Sequence, residues 1–160
     1  MITVRAREPA DEQEVAAFLR ANHSERVARL EELVRPLDHP ALVAEDGERL
    51  VGVLTYVLAG RECEILTLHT AARWRGTGTA LIAGVEEIAR NAGCARLWVL
   101  TTNDNVDALR FYQRRGFRLA ALNPGAVDRS RTQLKPEIPE HGAYGIPIRD
   151  ELVLERRRAG

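Results

Sequence analysis

Several features that mark large classes of protein are scarce or missing in this sequence. It has only two cysteines, Cys63 and Cys94, and their spacing matches no zinc or redox motif. So few cysteines are typical of a reducing compartment, and we expect both to be small core residues. No apolar run approaches the roughly 20 residues of a membrane helix, and the first residues lack the pattern of a signal peptide. We therefore expect a soluble, cytoplasmic protein that does not associate with membranes.

A net charge of one sign is also missing. The 160 residues include 23 basic and 23 acidic side chains, so the formal net charge is zero. Proteins that bind nucleic acid usually carry a basic surplus or stripe, and neither is visible here. The four histidines have no ligand-like spacing, which predicts that no metal is bound. The length suits one compact domain, so we expect residues 1–160 to form a single domain, as a monomer or a homodimer.

Periodic apolar residues predict the elements of the first half of the chain. Alternation of apolar and polar residues is typical of strands, and apolar residues three or four apart are typical of helices. One helix is predicted after Pro9, and a second from Ser24 to a stop by Pro36. The second helix would carry an apolar face formed by Val27, Leu30 and Val34. The predicted strands cover residues 2–7, 41–45, 49–58 and 62–69.

In the second half, helices and strands are predicted to alternate. Residues 77–92 predict an amphipathic helix that ends at Gly93, and residues 104–115 predict a helix that ends at Gly116. The apolar face of the first of these would be Leu81, Val85, Ile88 and Ala92. The segment 96–101 is almost wholly apolar, which is typical of a strand covered on both faces. A further strand is predicted at 117–122.

The last part of the chain is rich in proline. Residues 123–147 hold four of the seven prolines, so we expect a largely irregular loop there, followed by a last strand at 148–154. Residues 1–122 would then form the core. Antiparallel strands followed by strand–helix–strand–helix–strand predict an α/β (α+β) fold, with a mixed sheet and helices on both sides.

A turn with two glycines lies between the predicted strand 62–69 and the helix 77–92. Gly76 and Gly78 let the backbone approach a ligand closely, and the first turn of a helix leaves several N–H groups without acceptors. Those groups and the helix dipole favour phosphate, and Arg73 and Arg75 add cationic side chains. The third glycine of a Rossmann fingerprint and the Gly-Lys-Ser/Thr of a P-loop are absent. The turn predicts a phosphate-bearing ligand; the alternative is that the glycines serve only a tight turn.

The segment Arg73-x-x-Gly76-x-Gly78 resembles the Arg/Gln-x-x-Gly-x-Gly/Ala signature of the GNAT superfamily of N-acetyltransferases. Residues 105–117, with an asparagine, Ala-x-x-Phe-Tyr on a helix and then Gly-Phe, resemble its other signature. The sequence departs from the family where Trp74 replaces a usual glycine and Thr70 a frequent proline. The resemblance implies a mostly antiparallel mixed sheet with splayed central strands. It also implies acetyl-CoA as the cofactor and an amine as the acceptor.

The resemblance assigns binding roles to individual positions. The main chain at Leu66 and Leu68 would bind the pantetheine arm of coenzyme A, and the Leu68 N–H would stabilise the oxyanion. Asn105 would contact the same arm from the neighbouring strand. The pyrophosphate would be wrapped by Arg73, Trp74, Arg75, Gly76, Thr77, Gly78 and Thr79.

Acetyl transfer to an amine needs a neutral amine, a stabilised tetrahedral intermediate and a proton for the departing thiolate. Tyr112 matches the family position whose hydroxyl points at the coenzyme sulfur; the alternative is a buried tyrosine that only packs. Glu62 and Glu64 lie two apart on one predicted strand, so both would share a face with Leu66 and Leu68. Either carboxylate is a candidate base, and the alternative is a solvated charge on a strand.

The loop after residue 122 is the predicted wall of the acceptor site, since the resemblance places acceptor contacts there. Arg131 or Lys135 would meet an acidic group of the acceptor, and Tyr144 lies in the same segment. A flexible surface loop is the alternative. The sequence therefore predicts a transferase, an acetyl-CoA-dependent N-acetyltransferase whose acceptor is not identified. The alternative function is a GNAT-like module that senses coenzyme A without transferring an acyl group.

Overall fold

The computed structural model describes residues 1–71 and 76–158. Arg73, Trp74 and Arg75, three of the predicted pyrophosphate-binding residues, lie outside the described residues. The chain divides into two compact units. The first holds Met1–Arg26 and Arg35–Leu97, and the second holds Val27–Val34 and Trp98–Arg157. The single domain predicted from the length stays a prediction.

The described residues form helices and strands of a mixed α/β fold. The helices are α1 (Glu12–Ala21), α2 (Thr77–Asn91), α3 (Val106–Arg114) and α4 (Ala126–Gln133). The strands are β1 (Ile2–Ala6), β2 (Val27–Arg29), β3 (Glu32–Val34), β4 (Ala41–Asp46), β5 (Arg49–Ala59), β6 (Glu62–Thr70), β7 (Arg96–Thr102), β8 (Arg118–Asn123) and β9 (Glu151–Arg157). None of the helices among these residues has the length and apolar character needed to span a membrane.

In the first unit, four strands lie in the order β1-β4-β5-β6, each antiparallel to its neighbour. Helix α1 packs on one face, where Val15 and Leu19 share a buried cluster with Val53. Helix α2 packs on the opposite face, because a Cβ on Gly52, the neighbour of Val53, would lie 2.8 Å from Thr77 Cγ2. The predicted class, a mostly antiparallel sheet with helices on both sides, is confirmed.

Helix α2 begins where the sequence predicts, but its buried face differs toward the C-terminal end. The buried residues are Thr77, Leu81, Ile82, Val85 and Ala89. Ile88 is only half-buried and Ala92 is exposed, so the predicted face was wrong at those two positions. The helix therefore buries the fourth residue after Val85, Ala89, more fully than the third, Ile88.

From Trp98 onward β7 belongs to the second unit, where β7, β9 and β8 follow one another in that order and β8 is antiparallel to β9. Strand β7 alternates between buried and half-buried residues. Val99 and Thr101 are buried, whereas Trp98 and Leu100 are partly exposed. Strand β7 is therefore fully covered on one face only, which corrects the prediction that both faces are covered.

The helix predicted from Ser24 to Pro36 is wrong. Residues 27–34 form the antiparallel hairpin β2–β3, with Val27 opposite Val34. Leu30 and Glu31 make its two-residue turn at φ 50° and 62°, the positive values that such hairpin turns require. Glu151 accepts a hydrogen bond from the Leu30 main chain, and Arg129 pairs with Glu31 at 3.0 Å. Tertiary contacts therefore hold a turn that the helical spacing does not predict.

The proline-rich segment is more ordered than predicted. Helix α4 lies inside it, between Pro124 and Pro136, because no proline or glycine interrupts Ala126–Gln133. The last strand, Glu151–Arg157, begins and ends three residues later than the predicted 148–154. Arg149 and Asp150 are held before the strand by the Asn103 side chain, whose Oδ1 accepts from both main-chain N–H groups.

Candidate active site

The start of α2 carries main-chain donors that have no acceptor among the described residues. Gly76 adopts φ 74° and ψ 8°, a left-handed conformation that favours glycine. Helix geometry leaves the N–H groups of Thr77 and Gly78 without an intrahelical acceptor. No other acceptor reaches them within residues 1–71 and 76–158. Two such donors at the positive end of a helix dipole suit an anionic ligand.

Thr77 adds a hydroxyl group at the same place. Its side chain is 1% exposed, and Oγ1 has no hydrogen-bond partner among the described residues. A buried hydroxyl without a partner is destabilising by about 1–3 kcal/mol. A ligand oxygen would satisfy it together with the neighbouring N–H groups, so the residues present fit a phosphate-bearing ligand.

A bulge in β6 changes which side chains share a face. Thr67 pairs with Thr55 and Ile65 with Tyr56, so Leu66 is an extra residue on β6. Glu64, opposite Val57, therefore shares a face with Thr67, whereas Leu68, opposite Leu54, lies on the other face. The prediction that Glu62 and Glu64 share a face with Leu68 was wrong for this reason. Main-chain contacts of Leu66 and Leu68 with a ligand stay a prediction.

The two candidate glutamates lie in different environments on the same face of β6. Glu62 is near the start of the strand, and its carboxylate pairs with Arg96 at 2.9 Å. Its side chain is 46% exposed. Glu64 is 4% exposed. Glu62 is thus a surface ion pair, whereas Glu64 is the buried carboxylate that a general base in a closed site would require.

The face of β6 that carries Glu64 continues with two further polar side chains. Thr67 Oγ1 lies 2.6 Å from Thr55 Oγ1, and His69 Nε2 lies 2.8 Å from Ser24 Oγ. Burial lowers the pKa of His69 to about 4, so its imidazole is neutral near pH 7. We call Glu62, Glu64, Thr67 and His69 the β6 polar row. Sequence reasoning missed Thr67 and His69, because strict alternation hides the effect of a bulge.

Tyr112 lies on α3 in the second unit and is 5% exposed. Its ring packs edge-on against Phe111 and Phe117, each with a centroid distance of 5.2 Å. Burial raises its pKa well above the usual value for tyrosine. The phenol therefore keeps its proton near neutral pH, which a proton donor requires.

Asn105 is the N-cap of α3, a role that the sequence did not assign to it. Its Oδ1 accepts a hydrogen bond from Ala108 N at 3.2 Å, and the residue is exposed. Asparagine is among the best N-cap residues because its side chain replaces a missing main-chain acceptor. Its contact with a pantetheine arm stays a prediction.

Arg131, one of the predicted acceptor residues, makes several contacts within the described residues. Its guanidinium donates to the carbonyl groups of Ile138, Pro139 and Ile148, and it pairs with Asp128. These contacts make Arg131 an anchor of the loop that follows α4. Its role toward an acceptor, like that of the half-buried Lys135, stays a prediction.

Tyr144 and the residues around it are held by the β7–α3 connection and by the first turn of α3. Tyr144 is 72% exposed, and its hydroxyl lies 3.0 Å from both carboxylate oxygens of Asp107. The buried Asp104 accepts from Ala143 N, and Asn103 Nδ2 donates to the Pro147 carbonyl. The segment is therefore held in place by hydrogen bonds, and its role as a wall of the acceptor site stays a prediction. Sequence reasoning missed Asn103 and Asp104, although Asn and Asp just after a strand are typical of such anchoring turns.

A family model described as the Acetyltransferase (GNAT) family matches residues 7–117. The chain belongs to the GNAT acetyltransferase family. It is 48% identical over 120 residues to the uncharacterised protein YdhI of Bacillus subtilis, covering 75% of this chain and 74% of that protein. It is 30% identical over 110 residues to an uncharacterised N-acetyltransferase of Mycobacterium tuberculosis, covering 67% of this chain and 69% of that protein.

Solved structures share the GNAT fold with this chain. A Bacillus subtilis acetyltransferase in complex with CoA matches with a TM-score of 0.76 at 19% identity, covering 99% of this chain and 100% of that chain. A GNAT family acetyltransferase from Elizabethkingia anophelis with acetyl-CoA bound matches with a TM-score of 0.69 at 18% identity, covering 98% of each chain. The family resemblance that the two signatures imply is confirmed by the family model and by the relative at 48% identity.

Metal ligands do not cluster in the part of this GNAT chain that the structure describes. Residues 1–71 and 76–158 contain no group of three or more His, Cys, Asp or Glu side chains placed to hold a metal ion. Cys63 and Cys94 are both buried free thiols.

Proposed function

We propose that this protein is an N-acetyltransferase that moves the acetyl group of acetyl-CoA to an amine by direct attack in a ternary complex. The observation that carries the proposal is the start of α2. Gly76 is left-handed, and two main-chain N–H groups have no acceptor within residues 1–71 and 76–158. Together with the buried Thr77 hydroxyl they offer donors to a diphosphate. Membership of the GNAT family supports coenzyme A as the carrier of that diphosphate.

Acetyl-CoA supplies a thioester, and the residues of this chain would move the protons. Glu64 is the proposed base, because it is the buried carboxylate of the β6 polar row. It takes a proton from the acceptor ammonium, and the neutral amine attacks the thioester carbonyl. The new C–N bond forms, and the main-chain N–H of Leu68 would stabilise the oxyanion. The C–S bond then breaks as the thiolate leaves with the proton of Tyr112, and the second proton of the attacking nitrogen returns to the Tyr112 phenolate to give the neutral amide.

Thiol release from acetyl-CoA in the presence of a panel of primary amines tests the activity. We expect release that requires both the protein and a suitable amine. Calorimetric titration with coenzyme A is done in parallel, because binding without release for any amine would favour the coenzyme A sensor instead. Neither binding nor release would overturn both functions.

Paired variants test the two proposed proton carriers. Glu64→Gln should lower kcat about 100-fold or more, and Tyr112→Phe about 100-fold, since general acid–base groups contribute that much. Glu62→Gln is the control for the first variant, and Tyr56→Phe is the control for the second because Tyr56 is also buried. Both controls should stay within about 3-fold of the unchanged protein. Unchanged turnover in Glu64→Gln or Tyr112→Phe would remove that residue from the mechanism.

A further inference from the structure

Strand β8 is exposed to an unusual degree for a strand of apolar sequence. It reads Arg-Leu-Ala-Ala-Leu-Asn, and residues 118–122 are all exposed. Leu119 is 54% exposed and Leu122 is 57% exposed. Within the described residues β8 pairs with β9 alone, so its outer edge carries main-chain N–H and C=O groups without a strand partner. Exposed apolar edges of this kind are sites of pairing with another chain.

A bulge places the two leucines of β8 on the same face. Leu119 lies opposite Leu154 and Leu122 lies opposite Leu152, with Ala120 as the extra residue. Leu152 and Leu154 are two apart on β9 and therefore share a face, so their partners do as well. Together Leu119 and Leu122 form an apolar surface beside the open edge.

The other edge strand shows how the same protein protects an edge. Strand β1 carries Arg5, whose guanidinium pairs with Glu45 at 2.7 Å and with Asp11 at 2.7 Å. Charged side chains on an edge strand oppose pairing with a second chain. Strand β8 has a single charged residue, Arg118 at its first position, and no proline.

The sequence of β8 is complementary to itself under a twofold axis. An antiparallel pair centred between Ala120 and Ala121 sets Leu119 opposite Leu122 of the second copy, and Ala120 opposite Ala121 of that copy. Arg118 then faces Asn123 of the second copy, so no like charges meet. A twofold interface requires such self-complementarity, because the same patch serves on both copies.

We infer that the open edge of β8 pairs with β8 of a second copy, giving a homodimer with a sheet continuous from β9 through both β8 strands to the other β9. The pairing satisfies the main-chain groups of both edges. It also brings four leucines, Leu119 and Leu122 from each copy, onto one face. The inference is independent of the catalytic proposal.

The mass of the purified protein in solution tests the dimer, by light scattering coupled to gel filtration. We expect twice the chain mass at about 50 µM, since a stable interface binds in the micromolar range or tighter. Leu119→Lys with Leu122→Lys should give a folded monomer. Leu58→Lys is the control, because Leu58 is another exposed strand leucine, at 44% exposure, outside β8. A wild-type monomer at that concentration, or a dimer that survives both lysines, overturns the inference.

Cysteine pairs test the register and remain informative if the lysine variant fails to fold. Leu119→Cys with Leu122→Cys should cross-link the two copies under mild oxidation, because directly opposite Cβ atoms lie about 5 Å apart. Leu119→Cys alone should not cross-link, since the two copies of that position would lie about 10 Å apart. Cys63 and Cys94 are buried and do not compete. Absence of cross-linking in the double variant would overturn the proposed pairing.

Discussion

Helices α2 and α4 both begin after a glycine in the left-handed conformation, but they differ in whether the described residues supply acceptors for the first N–H groups. Gly76 before α2 has φ 74° and ψ 8°, and Gly125 before α4 has φ 70° and ψ 5°. At α4 the chain fills the helix start itself. Asp150 Oδ1 accepts from Gly125 N at 2.8 Å, and the Arg149 carbonyl accepts from Val127 N at 2.9 Å.

At α2 the equivalent acceptors are missing from the described residues, and the first turn carries no acidic side chain. The first turn of α4 carries Asp128. A helix start attracts negative charge, and at α4 the chain itself supplies that charge. At α2 we propose that a ligand supplies it. The two helix starts therefore differ in how far the described residues fill them, although the glycine geometry is the same.

The largest effect is expected when α2 is given the acidic residue that α4 already has. Thr79 is exposed and holds the position in α2 that Asp128 holds in α4. Thr79→Asp should weaken coenzyme A binding about 100-fold by calorimetry, because like charges placed together cost several kcal/mol. The same change should raise the free energy of unfolding by about 0.5 kcal/mol through the helix dipole.

A charge placed later in α2 controls for that variant. Ala83 is exposed on the same helix, and Ala83→Asp adds the same charge away from the helix start. We expect coenzyme A binding within about 3-fold of wild type for this control. Equal loss of affinity in both variants would mean that net charge, not the start of α2, governs binding.

A smaller effect is expected when each cap glycine is replaced by alanine. Gly76→Ala and Gly125→Ala should each lower the free energy of unfolding by about 1 kcal/mol, because a Cβ is strained at positive φ. Only Gly76→Ala should also weaken coenzyme A binding, by about 10-fold, as the helix start moves to relieve the strain. If both variants bind coenzyme A equally well or equally badly, the functional difference between the two helix starts is lost.

Local signals predicted the part of the fold around α2 well. Alternation located β4, β5 and β6, and Gly93 marked the end of α2 within two residues. These elements are set by short-range patterns, so a single sequence suffices to find them. The GNAT signatures added the family, which is confirmed. The splayed central strands and the residue roles stay predictions.

Elements fixed by distant contacts were not predictable in the same way. Residues 27–34 form a hairpin because Glu151 and Arg129 hold its turn at Leu30 and Glu31. The spacing of apolar residues in this segment predicts a helix instead. The bulge at Leu66 depends on the register with β5, which spacing along β6 cannot reveal. For that reason the face of Glu64 was assigned to the wrong neighbours, and the β6 polar row was seen only in the structure.

The smallest effect is expected when the Asp150 carboxylate at the start of α4 is removed. Asp150→Ala deletes the carboxylate that accepts from Gly125 N, while the Arg149 carbonyl still accepts from Val127 N. The free energy of unfolding in urea should fall by about 1–2 kcal/mol, since a charge-assisted hydrogen bond is lost at a partly buried site. Asp150→Asn keeps an oxygen acceptor and should lose about half as much stability.

Coenzyme A affinity should stay unchanged in both variants, because the start of α4 is filled by the chain and not by the ligand. Weaker coenzyme A binding in Asp150→Ala would show that the two helix starts are coupled, and the assignment of one to structure and the other to binding would then fail.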